Sequence, residues 1–120
     1  MRKNIPNHPF DLEDRTFQFA RKIRDFVKTL PKSTSNHEYK KQLIRSSSSV
    51  GANYIEANES LSKKDFVTRI KICRKEIKET RYWLNLVEIS PTSIATASHL
   101  QKECTELLKI FSSIINKSTI

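Results

Sequence analysis

A row of basic side chains between residues 63 and 81 is the part of this sequence best suited to chemistry, and that chemistry is the binding of phosphates. Four lysines spaced seven, four and three apart share one face of a helix, and two arginines flank them. The six residues, here called the basic strip, are Lys64, Lys71, Arg74, Lys75, Lys78 and Arg81. Such a row can neutralise backbone phosphates without reading base sequence. The strip therefore predicts binding of RNA or DNA, and the alternative is a solvated face partly paired to Glu76 and Glu79.

Two aromatic residues follow the basic strip. Tyr82 continues the face of the strip, and Trp83 is the next residue. We interpret both rings as packing residues rather than as platforms on which bases stack, because aromatic side chains at helical spacing more often belong to a core. The strip is therefore expected to hold nucleic acid through phosphate contacts.

An ion pair is predicted where the helices on either side of residues 60–61 face each other. If these helices are antiparallel, Arg45 lies level with Glu76, and Glu79 lies one turn further along. We therefore predict that Arg45 pairs with Glu76 or Glu79. A partly buried pair of this kind contributes to specificity more than to stability.

No arrangement typical of an enzyme or a metal site occurs in the sequence. Paired carboxylates, a nucleophile beside a base and a glycine loop that could cradle phosphate are all missing. The four serines at 46–49 have no His or Asp close to them in sequence. His8, His37 and His99 are isolated from other ligand types at metal spacing. We expect no catalytic activity, no metal and no cofactor.

The two cysteines lie on apolar stripes of different helices. Cys73 and Cys104 are expected to be buried, reduced thiols, as in most intracellular proteins. If their helices run antiparallel about residues 90–91, the two thiols lie at a similar level, so a disulfide stays possible.

The positive charge is concentrated in one part of the chain. The 120 residues carry a formal net charge of +9. Residues 1–81 hold 19 basic and 10 acidic residues, whereas residues 82–120 hold three of each. A basic protein usually has an acidic partner, and nucleic acid is the commonest.

Apolar residues at spacings of three and four, with a single glycine in the chain, predict an all-α fold. We expect one domain over residues 1–120, folded as an antiparallel up-down-up-down four-helix bundle. The predicted elements are a loose leader at 1–10 and helices at about 11–30, 37–58, 63–89 and 93–116. The expected caps are Ser35 or Asn36, Ser62, and Thr92 or Ser93. The clearest core stripe is Phe66, Ile70, Cys73, Ile77, Thr80, Leu84 and Val87.

The sequence has no apolar run long enough to span a membrane and no apolar stretch after its first charged residues. We therefore expect no membrane segment and no signal peptide. The expected location is the cytoplasm.

Small residues in the second helix favour close approach of another helix. Gly51 costs about 1 kcal/mol of helix stability relative to alanine, so a mid-helix glycine needs a packing reason. That reason is either tight packing within one subunit or a subunit contact. The fourth helix carries a second, mostly apolar line that one core does not need. The predicted interface is Ile44, Ser48, Gly51, Ile55, Ile94, Gln101, Leu108 and Ile115.

Motifs in the second and third helices resemble a family of bacterial four-helix-bundle proteins named for the intervening sequences of 23S rRNA genes. The matching residues are Gln42, Arg45, Ser46, Asn53 and Glu56, then Ser62, Asp65, Phe66, Glu79 and Tyr82. The match spans nearly the whole chain. Departures occur where many members have Pro at Gly51, Gly at Ala57 and Gly-Ser at Lys75-Glu76.

The resemblance implies an antiparallel four-helix bundle that forms a ring-shaped homopentamer without enzymatic activity. A related protein, the accessory protein of diversity-generating retroelements, shares this design and binds nucleic acid and a reverse transcriptase. Two functions follow as expectations: binding of RNA or DNA, or a protein scaffold that docks an acidic partner such as a reverse transcriptase.

Overall fold

The computed structural model describes residues 9–118, which form four α-helices joined by short connections. These are α1 (Pro9–Val27), α2 (Thr34–Asn58), α3 (Lys63–Leu86) and α4 (Ile94–Ser118), with a 3-10 turn, Pro91–Ser93, before α4. No β-strand occurs in residues 9–118, so the predicted all-α fold is confirmed. The leader predicted at 1–10 is too long, because α1 already begins at Pro9; residues 1–8 lie outside the described residues.

The caps decide where α2 and α3 begin. α2 begins at Thr34, three residues before the predicted start, because the cap is Ser33 and not Ser35 or Asn36. The Ser33 hydroxyl accepts a 3.0 Å hydrogen bond from the Asn36 amide, which satisfies one of the unpaired donors of the first turn. The cap predicted for the third helix is confirmed, since the Ser62 hydroxyl accepts a 3.0 Å hydrogen bond from the amide three residues later.

Four other helix ends differ from the prediction. α1 ends at Val27 instead of near residue 30, and α3 ends at Leu86 instead of near residue 89. Val87 is extended, with φ −62° and ψ 145°, so the chain leaves the helix there. The caps predicted at Thr92 or Ser93 are wrong, because both residues belong to the 3-10 turn that runs into α4. α4 continues to Ser118, two residues past the predicted end.

The core is formed by one apolar stripe from each helix. In α3 the predicted stripe is buried at Ile70, Cys73, Ile77, Thr80 and Leu84. The stripes of α1 and α4 consist of the buried residues Thr16, Phe19, Ile23, Phe26, Ala97, Leu100, Cys104, Leu107 and Phe111. α2 contributes Leu43, Val50, Tyr54 and Ala57. Burial of large apolar side chains, each contributing roughly 1.5–3 kcal/mol, is the main source of stability.

α2 and α3 form the most extensive contact in the molecule. Asn53, late in α2, accepts a 3.0 Å hydrogen bond from Arg69, early in α3. Ser46 lies earlier in α2, and its buried hydroxyl is 2.7 Å from that of Thr80, later in α3. The contacts follow opposite orders along the two helices, so α2 and α3 are antiparallel.

Gly51 explains how α1 packs on α2. A Cβ at position 51 would lie 3.1 Å from Oγ1 of Thr16 and 3.4 Å from its Cβ. The Thr16 hydroxyl donates back to the carbonyl oxygens of Leu12 and Glu13, at 2.9 and 3.0 Å, so its position is held. The glycine therefore allows close approach of α1. Of the two reasons considered for this glycine, this is tight packing within one subunit.

The buried side chain of Asn36 joins two connections at one end of the molecule. Its Nδ2 donates to the carbonyl oxygens of Pro31, at 2.8 Å, and Glu88, at 2.9 Å. Its Oδ1 accepts a 2.9 Å hydrogen bond from the Glu88 amide. The Glu88 carboxylate in turn accepts from the hydroxyls of Ser33 and Ser35. The connection after α1 is thereby tied to the connection after α3.

Candidate nucleic-acid interface

The basic strip lies along the outer surface of α3, as predicted from its spacing. The side chains of Lys64, Lys71, Lys75 and Lys78 are exposed, and those of Arg74 and Arg81 are half-buried. At 1.5 Å per residue, the four lysines extend over about 21 Å of helix. No salt bridge within the part of the chain that the structure describes involves any residue of the strip. The four lysines of the strip are thus exposed cations without a salt-bridge partner among the described residues.

The two glutamates that could neutralise the strip are occupied by an arginine of α2. Arg45 Nη1 donates to both carboxylate oxygens of Glu76, at 3.2 and 3.4 Å. Arg45 Nη2 donates to Glu79 at 2.6 Å. The predicted pairing of Arg45 is present, and it extends to both glutamates. The partial pairing of the strip with Glu76 and Glu79 is absent from the salt bridges among residues 9–118.

The Glu76 carboxylate is buried, and α2 supplies its polar contacts. Besides Arg45, it accepts a 3.2 Å hydrogen bond from the Ser49 hydroxyl. The Ser49 hydroxyl also accepts a 2.9 Å hydrogen bond from Asn53 Nδ2. A buried carboxylate must be paired and hydrogen-bonded to be tolerated. These serine and asparagine contacts explain why an unusually polar helix packs on α3.

Other basic residues of the chain are closer to acids. On α1, Arg24 Nε lies 3.1 Å from Oδ1 of Asp25, and Nζ of Lys28, the first residue after α1, lies 3.9 Å from the same oxygen. On α2, Lys41 Nζ lies 3.4 Å from Oε2 of Glu38. All of these side chains are largely exposed, so each pair contributes little to stability. These pairs partly cancel the positive charge of α1 and α2, whereas no salt bridge among the described residues cancels that of the basic strip on α3.

An aromatic cluster lies where the basic strip ends. The Trp83 ring centroid is 6.0 Å from that of Tyr39 on α2 and 5.2 Å from that of Tyr82. Trp83 is half-buried against the core, as its packing role predicts, and its Nε1 is buried without a hydrogen-bond partner in the described residues. The packing role predicted for Tyr82 is wrong, because 59% of this residue is exposed. Its ring meets that of Trp83 at an interplanar angle of 71°, and more than half of the residue is open to solvent.

The predicted interface of α2 is partly accessible. Ile44, Ser48 and Ile55 are exposed on the outer side of the helix. Gly51 does not belong with them, because it packs against Thr16 of α1 within the same chain. The accessible part of this face is therefore two isoleucines around a serine.

The residues of the predicted outer line of α4 differ in their exposure within one chain, and their place in a subunit contact stays a prediction. Ile94 is exposed, but Gln101 is half-buried and donates a 2.8 Å hydrogen bond to Asn85 of α3. Leu108 is half-buried against the core, and Ile115 is only 5% exposed and belongs to the core. α4 packs against both α3 and α1, so two of its apolar lines are needed within one chain.

Sequence reasoning missed a second arginine that bridges two glutamates. Arg15 of α1 donates to Glu103 of α4 through Nε and Nη2, both at 2.8 Å, and to Glu106 at 2.9 Å. The spacing of these glutamates, i and i+3, repeats that of the two glutamates bound by Arg45. The repeated spacing was the signal that the sequence offered for this contact. It was not sufficient, because no short turn joins α1 to α4 and fixes which of their residues face each other.

The thiols are buried and free, as predicted for reduced cysteines. Burial raises the pKa of both Cys73 and Cys104 to about 12. Thiols with such pKa values are unreactive at neutral pH.

Among the described residues there is no group of three or more His, Cys, Asp or Glu side chains placed to hold a metal ion. None of the helices described is apolar over a length that could cross a membrane.

Comparison with known proteins identifies relatives. The family model described as "23S rRNA-intervening sequence protein" matches residues 10–113. A crystal structure of a protein with unknown function from the S23 ribosomal protein family of Bacteroides thetaiotaomicron is 32% identical, with a TM-score of 0.75. That similarity covers 87% of this chain and 97% of the other. No curated protein matches the chain. Neither description states an enzymatic activity.

Proposed function

This chain belongs to the 23S rRNA-intervening sequence protein family, and we propose that it is a non-enzymatic, oligomeric protein that binds RNA or DNA through the phosphates. The basic strip of α3 carries the binding. Contacts to phosphates position a nucleic acid without selecting its sequence, so little sequence preference is expected.

The observation that supports this proposal is the separation of the strip from its acidic neighbours. Glu76 and Glu79 lie on the same helix as the strip, yet both carboxylates are held by Arg45 from α2. A solvated surface helix normally interleaves opposite charges in i,i+4 pairs. Here the arginine of the adjacent helix pairs with both acids, and the four exposed lysines have no salt-bridge partner among the described residues.

The proposal includes an up-down-up-down bundle that assembles with copies of itself into a ring. The outer face of α2 supports a protein contact, because Ile44 and Ile55 are 39% and 49% exposed there. Two isoleucines in water favour burial against a second copy of the same surface or a complementary one. A ring would repeat the basic strip around the particle, and repetition raises the effective affinity of weak phosphate contacts.

Filter binding over a salt series tests this function. The variant is Lys71→Glu, Lys75→Glu, Lys78→Glu. The matched control is Arg24→Glu, Lys28→Glu, Lys32→Glu, which changes the net charge by the same amount at exposed positions away from α3. For the wild type, log affinity should fall with log salt by about 0.9 per phosphate contacted on duplex DNA and about 0.7 on single strands.

We expect the α3 variant to lose binding at low salt and the control variant to keep most of it. Equal losses in both variants would show that net charge, and not the strip, governs binding. If the wild type fails to bind any nucleic acid at low salt, the function proposed here is wrong. The strip then remains as a docking surface for an acidic protein.

A further inference from the structure

We infer that the site on α3 holds unpaired nucleic acid, with one base stacked on the ring of Tyr82 while neighbouring phosphates lie on the basic strip. This inference rests on the proposed function and adds its substrate class. Base stacking on an exposed ring is chemistry that single strands of RNA and DNA share, because every base offers a π-face.

Tyr82 has the exposure and the support that a stacking platform needs. More than half of the residue is open to solvent. Its ring meets that of Trp83 at an interplanar angle of 71° and a centroid distance of 5.2 Å. Trp83 is itself held against the core and lies 6.0 Å from the ring of Tyr39. The Tyr82 ring thus packs against a neighbour that is itself held by the core, and this contact reduces the rotamer freedom that a base would have to restrict on binding.

The position of Tyr82 fits the basic strip. It lies four residues after Lys78 on the same helical face, which corresponds to an axial distance of about 6 Å. One nucleotide can therefore place its phosphate on a strip lysine and its base on the ring. Cationic groups that follow the backbone, combined with an aromatic ring that takes a base, are the two parts of general single-strand binding sites.

A duplex cannot use Tyr82 in this way. Bases within a duplex stack on each other, so their faces are closed to a side chain that projects from the convex surface of a helix. A duplex would gain only the phosphate contacts of the strip. The preference for unpaired strands therefore depends on Tyr82, whereas phosphate binding depends on the lysines.

Phe17 shows why exposure by itself does not make such a site. Its exposure of 57% is close to that of Tyr82. However, the Arg21 guanidinium lies 5.7 Å from the Phe17 ring centroid and already occupies that ring. The next cations along the chain that form salt bridges, Arg24 in α1 and Lys28 just after it, both pair with Asp25. By contrast, the basic side chains of the strip beside Tyr82 have no salt-bridge partner among the described residues.

The experiment uses Tyr82→Ser, which removes the ring, and Tyr82→Phe, which keeps it. Four probes are titrated by fluorescence anisotropy: oligothymidylate, oligouridylate, an abasic deoxy strand of equal length and a duplex. We expect the Ser variant to lose about fivefold or more in affinity for both oligonucleotides, the low end of base–aromatic stacking. The same variant should bind the abasic strand and the duplex as the wild type does, and the Phe variant should match the wild type on all four probes.

Trp83 provides a second, local readout, because it is the only tryptophan in the chain. A base stacked on Tyr82 changes the surroundings of the adjacent indole, so oligothymidylate should alter its emission and the abasic strand should not. Circular dichroism confirms that the variants remain folded. Equal affinities for the deoxy and ribo oligonucleotides, or tighter binding of the ribo form through its 2′-hydroxyls, both agree with the inference.

The two proposals fail in different ways. If Tyr82→Ser binds oligothymidylate as tightly as the wild type, while the lysine triple variant does not bind, the stacking inference is wrong and phosphate binding stands. A wild type that binds the abasic strand as tightly as oligothymidylate also contradicts stacking and leaves phosphate binding intact. If the wild type binds none of the four probes at low salt, both proposals are wrong.

Discussion

Arg45 and Glu79 are joined across α2 and α3 by a hydrogen bond of 2.6 Å from Nη2 to Oε1. The same guanidinium reaches the buried carboxylate of Glu76. One arginine thus serves a buried and a partly exposed glutamate at once.

Replacing Arg45 alone should destabilise the protein more than replacing the whole pair. Arg45→Met leaves the buried Glu76 carboxylate without a cation, and a buried acceptor that loses its partner costs about 1–3 kcal/mol, so a loss of several degrees in Tm is expected. The double variant Arg45→Met, Glu76→Leu removes the uncompensated charge and should recover part of that loss. Thermal unfolding of the three proteins measures the difference. An unchanged Tm in Arg45→Met contradicts the pairing.

Acid should weaken the contact between α1 and α4. Hydrogen bonds from Arg15 hold the pKa of Glu103 below its ordinary value of 4.5, so the folded protein resists protonation of this carboxyl. The stabilisation is fully present above pH 4.5 and is lost as the pH falls through the lowered pKa. Glu103→Gln should therefore cost about 1 kcal/mol at pH 7 and progressively less below pH 4. Urea unfolding at several pH values tests this.

Glu106→Gln is the control for that measurement. Its side chain is 63% exposed, against 19% for Glu103, and it accepts a single hydrogen bond from Arg15. Exposed ion pairs contribute little, so its effect at pH 7 should be smaller. A Glu103→Gln effect that does not change with pH would contradict the role assigned to the Arg15 pair.

Gly51→Val should destabilise the protein more than Ala52→Val does. This order is the reverse of the one that helix propensity alone predicts. Propensity favours Val over Gly and disfavours it relative to Ala, by a few tenths of a kcal/mol in each case. At position 51, however, valine would overlap Thr16, so Gly51→Val should lose about 1–3 kcal/mol of stability. Ala52 is exposed, and Ala52→Val should lose only about 0.5 kcal/mol. Urea unfolding ranks the two, and a stabilised Gly51→Val would show that α1 does not pack closely here.

Removing the Asn36 side chain should loosen one end of the molecule. Asn36→Ala leaves two carbonyls and the Glu88 amide without their partner, a loss of about 1–3 kcal/mol. Hydrogen exchange at the Glu88 amide should accelerate in the variant. Ser35→Ala, which removes a hydroxyl bonded to the exposed Glu88 carboxylate, is the control and should stay within about 0.5 kcal/mol of the wild type. Unchanged exchange at Glu88 in Asn36→Ala contradicts the role assigned to this residue.

Assembly should depend on α2 and not on Leu108. Ile44→Glu, Ile55→Glu places charges on the accessible face and should give a folded monomer by light scattering. Leu108→Glu places a carboxylate against the core, so it should lower the Tm instead of only dissociating the particle. A wild type that is monomeric at micromolar concentration removes the oligomer from the proposal.

The sequence predicts features that depend on local spacing better than those that depend on distant register. The core stripe of α3 and the pairing of Arg45 were predictable, because a short turn sets the alignment of α2 and α3. The contact of Arg15 with Glu103 was not, since α1 and α4 are far apart in sequence and only the packed structure aligns them. The burial of Ile115 within one chain was not predicted, for a related reason. A second apolar line has the same pattern whether it meets another subunit or another helix of its own chain.

The hydrogen bonds of the Asn36 side chain also bear on how the molecule responds to tension between its helices. They tie the connection after α1 to the connection after α3, and Ser93 donates to Thr29 at the same end. In the turn between α2 and α3, Leu61 is fully exposed. Tension applied between the start of α1 and the end of α4 would load the Arg15 contacts to Glu103 and Glu106 directly, because these join the two helices. The Asn36 contacts join two connections instead, so we expect them to keep the α1–α2 connection beside the α3–α4 connection while α1 and α4 separate.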